Sequence, residues 1–241
     1  MDKSGKNAHL FLAGPDIRYL EGSIRASYAY QMQSAVLLVR KTPETCNDSF
    51  LDEVRGLFGV GLDLRVEWIA EEGVMEIAKR ITDAALEQRR AGNTVLINIC
   101  DNDPFLVIPG YITACLTGST IILTGAATEQ RGEGGPESMQ IPLVPVCKPL
   151  KTRLSILAAI QDGVNSQDEL IERVEFKSRR EAPEAPYAES SSRMSRSGMS
   201  HHVKILEKKG LIQTAKGKDK AKRIMLTDMG RLMYDVYGEQ P

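Results

Sequence analysis

Hydrophobic and polar positions along the first 150 residues alternate between two periods. Short apolar runs at Ala8–Ala13, Ser34–Val39, Arg65–Ala70, Thr94–Ile99, Ser119–Thr124 and Ile141–Val146 predict strands. Several are apolar on both faces, as the central strands of a parallel sheet require. Between them, residues 17–30, 50–58 and 74–90 carry apolar side chains at helical spacing. The clearest is 74–90, with Val74, Ile77, Ala78, Ile81, Ala84 and Ala85 on one face and Gly92 as a stop. A further helix is predicted over Pro109–Leu116, with proline at its start and Gly118 after its end. Strands separated by helices form βαβ units, so residues 1–149 read as an α/β, Rossmann-like domain with a mostly parallel sheet. Gln130–Ser138, rich in glycine, reads as a loop.

After residue 150 the pattern changes to helices and one hairpin. Leu154, Leu157, Ala158 and Gln161 share a helical face that ends at Gly163. Ser166 and Glu169 form a capping box for a second helix that turns Leu170, Ile171 and Val174 inward. Residues 176–192, charged and with Pro183 and Pro186, read as an extended loop. Ser195 or Ser197 caps a third helix with Met199, Val203 and Leu206 inward, ending at Gly210. Leu211–Thr214 and Arg223–Thr227 flank a lysine-rich turn and predict a β-hairpin with a basic tip. A last helix over Asp228–Tyr237 buries Met229, Leu232, Met233 and Val236. This order is that of a winged helix-turn-helix domain, residues 150–241.

Charge sharpens the division. The chain has 241 residues and a formal net charge of -1. Residues 1–150 hold 14 basic against 19 acidic side chains, a net of -5, and the remainder 17 against 13, a net of +4. Arg193–Arg231 alone carries 11 basic and 3 acidic residues. Opposite signs in two halves point to different partners; a basic run by itself reads as a solvated face, and it is the winged-helix pattern beneath it that points to nucleic acid. The first residues of a recognition helix meet base edges in the major groove, which assigns that role to Arg196, Ser197, Ser200, His201 and Lys204. Lys208 and Lys209 at the helix end suit phosphates, as do Lys216, Lys218, Lys220, Lys222 and Arg223 on the wing.

Enzyme signatures fail. There is no Gly-x-Gly-x-x-Gly opening a helix, no phosphate-binding Gly-x-x-x-x-Gly-Lys-Ser/Thr and no Gly-x-Ser-x-Gly elbow. The three histidines are His9, His201 and His202, and His9 reads as a core residue of its strand. Asp101 and Asp103 could hold a divalent metal or act as acid and base, but carboxylates at a strand end more commonly cap helices. No metal, cofactor or catalytic residue is therefore assigned. The four cysteines lie far apart, without a Cys-x-x-Cys pair, and three of them, in apolar surroundings, read as reduced core thiols. No apolar stretch is long enough to span a bilayer and the first seven residues are polar, so no membrane partner and a cytoplasmic location are expected.

Two resemblances follow from these residues. Met199-Ser200-His201-His202-Val203-Lys204-Ile205-Leu206-Glu207-Lys208-Lys209-Gly210-Leu211-Ile212 and the later Leu226-Thr227-Asp228-Met229-Gly230 resemble the recognition helix and strand-to-helix junction of MarR- and ArsR-type transcription factors. Asn98-Ile99-Cys100, a turn, and then Ile108-Pro109-Gly110-Tyr111-Ile112-Thr113-Ala114-Cys115, ahead of a winged helix, resemble archaeal regulators with a CRISPR-associated Rossmann fold (CARF). The second resemblance implies a homodimer and a cleft for a cyclic oligoadenylate or another small effector. It places that cleft at the turns after the first and fourth strands, here Gly14, Pro15 and Asp16, and Cys100, Asp101, Asn102 and Asp103. The chain departs from the family pattern at Asp101-Asn102-Asp103-Pro104, where relatives place small and basic residues, and two carboxylates there would repel phosphate. The expectation is a homodimeric transcriptional regulator binding a pseudo-palindromic double-stranded DNA operator. The alternatives are a metal-dependent nuclease or phosphodiesterase acting on RNA or cyclic oligoadenylate, and an adaptor that uses the winged helix for protein contact.

Overall fold

Among the described residues, six strands and four α-helices build the first part of the chain. In the computed structural model, residues 6–43, 45–59, 62–70, 73–124, 138–144, 146, 148–181, 194–216 and 222–238 are described. The chain divides into two compact units, Met1–Val146 and Cys147–Pro241, three residues earlier than the boundary expected from the sequence.

In the first unit the order is β1 (Asn7–Ala13), α1 (Ile17–Ser27), β2 (Met32–Arg40), α2 (Asp48–Phe58), β3 (Asp63–Ile69), α3 (Val74–Arg90), β4 (Thr94–Ile99), α4 (Pro104–Thr117), β5 (Thr120–Thr124) and β6 (Ser138–Gln140). The strands lie in the order β3-β2-β1-β4-β5-β6, and all pairings are parallel except β5 with β6. This is the doubly wound order of Rossmann-like sheets, which reverses direction between β1 and β4. Because side chains alternate along a strand, the two faces bury different sets. Leu10, Leu12, Val36, Ile97 and Ile99 pack with Ile77, Ile81 and Leu106 of α3 and α4, whereas Phe11, Leu37 and Val39 pack with Leu20, Ile24, Phe50 and Val54 of α1 and α2.

Three expectations for this unit are corrected. The fourth helix starts at Pro104 rather than Pro109, because Asp103 caps it by accepting from Phe105 N and Pro104 needs no amide donor at the first helical position. Pro109 lies inside the helix and is buried. Among the described residues of the segment predicted as a strand over 141–146, only Ile141 continues the ladder, its N–H donating to Ile121 O. Pro142 and Pro145 cannot donate, and the strand lies instead at Ser138–Gln140, antiparallel on the sheet edge. Ile141 and Leu143 still pack on the α3/α4 core, and Tyr111 Oη holds this segment through Pro142 O and Val144 N. The first helix ends at Ser27 in a single 3-10 turn, Tyr28–Tyr30, after which Gln31 takes a left-handed conformation with φ 52°.

The second unit contains α5 (Lys151–Ala159), α6 (Gln167–Glu181), α7 (Arg196–Lys208), β7 (Ile212–Lys216), β8 (Lys222–Leu226) and α8 (Asp228–Tyr237). The helix α6 runs through residues 176–181, which the sequence pattern assigned to a loop; charge alone does not break a helix whose backbone bonds are already propagating. The rest of that loop, 182–192, lies outside the described residues, as does most of Gln130–Ser138. Antiparallel β7 and β8 pair from Ile212 with Leu226 to Lys216 with Lys222, and Val164 bridges to Ile224. The junction into α8 depends on Gly230. A β-carbon there would overlap the Leu211 carbonyl oxygen, which accepts from Thr227 N at 3.2 Å. Among the described residues no helix is long and apolar enough to cross a membrane.

Candidate effector crevice and nucleic-acid interface

At the point where the sheet order reverses, the turns after β1 and β4 lie side by side. A β-carbon on Gly14 would overlap the Asp101 carboxylate, so glycine allows this approach with Asp101 as placed. Asp16 caps α1, accepting from Arg18 N at 3.0 Å, and its carboxylate also takes both Arg18 Nε (3.0 Å) and Nη2 (2.5 Å). The Arg18 hydrogen bond holds the Asp16 carboxyl below its usual range. Asp103 caps α4 and pairs at 2.5 Å with Nη1 of Arg40, the last residue of β2. The same guanidinium lies over the Phe105 ring, 5.0 Å from its centroid. Both capping carboxylates are thus committed to helix amides and to cations. Of the two carboxylates from which the sequence suggested repulsion, Asp103 is thereby compensated by a cation.

The other named residues divide by exposure. Pro15 and Asn102 are exposed, Asp101 is half-buried, and Gly14 is buried. Cys100 does not present its thiol at the edge formed by these turns: the side chain is fully buried in the α1/α2 core, and burial pushes its pKa up to about 12. Only its backbone borders the turn, with Cys100 N donating to Leu12 O at 3.0 Å. Among the described residues no group of three or more His, Cys, Asp or Glu side chains is placed to hold a metal ion. Arg18 and Arg40 were missed by sequence reasoning. Arg18 was legible two residues after its cap, but the Arg40–Asp103 pair spans 63 positions and needs the β2-β1-β4 adjacency.

A buried polar cluster lies beneath α1. Ser27 Oγ is within reach of the Ser23 carbonyl (2.8 Å) and of Asn98 Oδ1 (3.1 Å), and Asn98 Nδ2 is 3.2 Å from His9 Nδ1. With Asn98 Oδ1 accepting, its amide nitrogen donates, and His9 Nδ1 must be the bare nitrogen of a neutral ring. Burial accordingly lowers the His9 pKa from 6.5 to about 4, opposed only in part by the Tyr30 backbone. His9 is the core histidine that the strand pattern implied.

In the second unit α7 has two chemically distinct faces. Met199, Val203 and Leu206 are buried, while Arg196, Ser197, His201, Lys204, Lys208 and Lys209 are exposed and Ser200 is half-buried. Ser195, rather than Ser197, is the cap: its Oγ accepts from Gly198 N at 3.1 Å. His202 turns partly inward, and burial together with the Arg153 charge lowers its pKa. On the hairpin, Arg223 is exposed and Lys216 pairs with Lys222 in the backbone ladder, while Lys218 and Lys220 lie outside the described residues. Two α6 residues reach Arg196: Asp168 binds its guanidinium through Nε (2.7 Å) and Nη2 (2.6 Å), and Gln167 Nε2 donates to its carbonyl at 2.7 Å.

No family model matches the chain. Among solved structures it is similar to protein VC1899 from Vibrio cholerae, with a TM-score of 0.42 and 10% identity, and to Can2 from Sulfobacillus thermosulfidooxidans in complex with cyclic tetra-adenylate, with a TM-score of 0.38 and 13% identity. The alignments cover 97% and 95% of this chain but only 64% and 63% of those proteins. Likenesses this distant establish neither a shared fold nor a shared function. A curated relative is nearer: an uncharacterized protein of Archaeoglobus fulgidus is 30% identical over 193 residues, covering 78% of this chain and 81% of the relative. At that identity across most of both chains, the protein belongs to the same family as the Archaeoglobus fulgidus protein.

Proposed function

We propose that the protein is a cytoplasmic, homodimeric transcriptional regulator whose second unit is a winged helix that binds double-stranded DNA. The observation that carries this reading is the polarity of α7: an apolar stripe holds it to its unit while its opposite face exposes Arg196, Ser197, His201, Lys204, Lys208 and Lys209. A helix presenting one cationic and polar face is suited to the major groove, its N-terminal side chains at base edges and its lysines at phosphates. The order α5, α6, α7, hairpin, α8, with the Val164–Ile224 bridge joining the α5–α6 turn to β8, supports the winged helix. The resemblance of residues 199–212 to MarR- and ArsR-type recognition helices points the same way.

The first unit would dimerise and sense a small, nucleotide-like effector. Support for the dimer comes from α4, which has no charged residue from Pro104 to Thr117 and leaves Phe105 44% and Ile108 49% exposed. A helix apolar on all sides needs cover on its outer face. Support for the effector comes from the turns after β1 and β4, which meet at the sheet's reversal point, the usual ligand position of such folds. With Asp16 and Asp103 compensated by Arg18 and Arg40, the edge is less hostile to an anionic ligand than its acidic sequence suggests. The CARF resemblance makes a cyclic oligoadenylate the first candidate. Two-fold symmetry would set half-sites one helical turn, roughly 34–36 Å, apart.

The test is duplex DNA binding as a function of salt, for the wild type and for a Lys204→Ala, Lys208→Ala, Lys209→Ala variant. Each lost phosphate contact should reduce the log–log salt slope by about 0.9. An unchanged slope would remove these lysines from the interface. Absence of any duplex binding at low salt would favour the adaptor reading. Metal-dependent cleavage of RNA or cyclic oligoadenylate would favour the enzyme.

A further inference from the structure

We propose that Asp168 is a positioning residue that presents Arg196 to a guanine in the DNA major groove. This rests on the DNA-binding reading above and names the specificity determinant within it. A guanidinium has five N–H donors on two usable edges. Asp168 Oδ1 and Oδ2 accept from Nε (2.7 Å) and Nη2 (2.6 Å), which is the side-on edge. Among the described residues nothing takes the end-on edge, one N–H from each Nη, and it has the spacing of guanine O6 and N7. Gln167, the neighbour of Asp168, holds the Arg196 backbone through its carbonyl at 2.7 Å. The first turn of α6 therefore fixes both the main chain and the side chain of the first residue of α7.

Fold stability does not account for this pair. Its side chains are 78% and 56% exposed, and ion pairs so placed contribute little to folding. What the pair does accomplish is to remove freedom from a four-torsion side chain before any ligand arrives, so that less entropy is lost on binding. The carboxylate also disfavours a phosphate at the same guanidinium, which steers Arg196 toward a base rather than the backbone. In this arrangement Asp168 costs general affinity and adds discrimination, two effects of opposite sign that a merely structural residue would not produce.

The experiment is sequencing of duplexes selected from a randomised DNA library by the full-length protein, comparing wild type, Asp168→Asn, Arg196→Ala and the double variant. Affinity for a fixed non-selected duplex is measured alongside, and thermal melting confirms folding. Asp168→Asn keeps the side-chain shape, so melting should be unchanged. At one position per half-site, its guanine preference should fall by about tenfold, the scale of one bidentate base contact. Affinity for the non-selected duplex should hold or rise. In the Arg196→Ala background Asp168→Asn should change discrimination no further. A wild type that selects sequences, with Asp168→Asn selecting them equally well, overturns the positioning role. So does an Asp168→Asn variant that loses affinity uniformly over all sequences. A wild type that binds no duplex at low salt overturns the DNA-binding reading itself, and this proposal with it.

Discussion

Lowering the pH from 7 to 5 should destabilise the first unit through one side chain, His9. Its pKa is 6.5 when unperturbed and about 4 in the folded chain. The unfolded chain therefore takes up a proton in a range where the folded one does not. Stability is fully present above pH 6.5 and is lost as the pH falls from there toward 4. At 1.36 kcal/mol per pKa unit the whole difference is about 3 kcal/mol, of which about 2 kcal/mol should already be gone at pH 5. This window separates histidine from the carboxylates: Asp16 and Glu87, held low by Arg18 and Arg65, lose their contributions only at more acid pH. His9 is the sole histidine of residues 1–146, and Trp68, the single tryptophan, lies in the same unit on β3. Urea titrations followed by Trp68 fluorescence at several pH values would read the unit directly. His9→Gln should shift the midpoint at every pH, because it disturbs the Asn98–Ser27 network, and should abolish the slope between pH 7 and 5. A wild-type transition independent of pH in this window, or a slope surviving in His9→Gln, would refute the neutral, buried imidazole.

Two further outcomes follow from local packing. Gly230→Ala should displace the Leu211 carbonyl and the junction into α8, at about 2 kcal/mol or more; for a unit of this size that lowers Tm by roughly 10 °C in a circular dichroism melt, and an unchanged Tm would contradict the close approach. Ile108→Asp on the outer face of α4 should convert a dimer to a monomer in sedimentation velocity while leaving the fold intact, because the residue is 49% exposed in one chain; a variant that remains dimeric would place the interface elsewhere.

The alternating pattern of strands and helices was enough to determine a mostly parallel α/β sheet, because period-2 and period-3.6 segments can bury their apolar faces together in few ways. It also marked the inward stripe of α7 at Met199, Val203 and Leu206, and therefore which polar residues face outward. Cap chemistry was legible too, and Asp103-Pro104 carried a helix start that the more prominent Pro109 obscured. The tertiary structure alone decided the partner of Asp103. Two carboxylates in the turn after β4 read as repulsive, yet one of them, Asp103, meets Arg40, and only because β2 and β4 flank β1 in the sheet. Burial of the Cys100 thiol under α1 and the Asp168–Arg196 pair between two helices are likewise contacts at long sequence separation. Local periodicity fixes which face of an element is apolar, but a charge's partner depends on which elements become neighbours, and that is settled by packing.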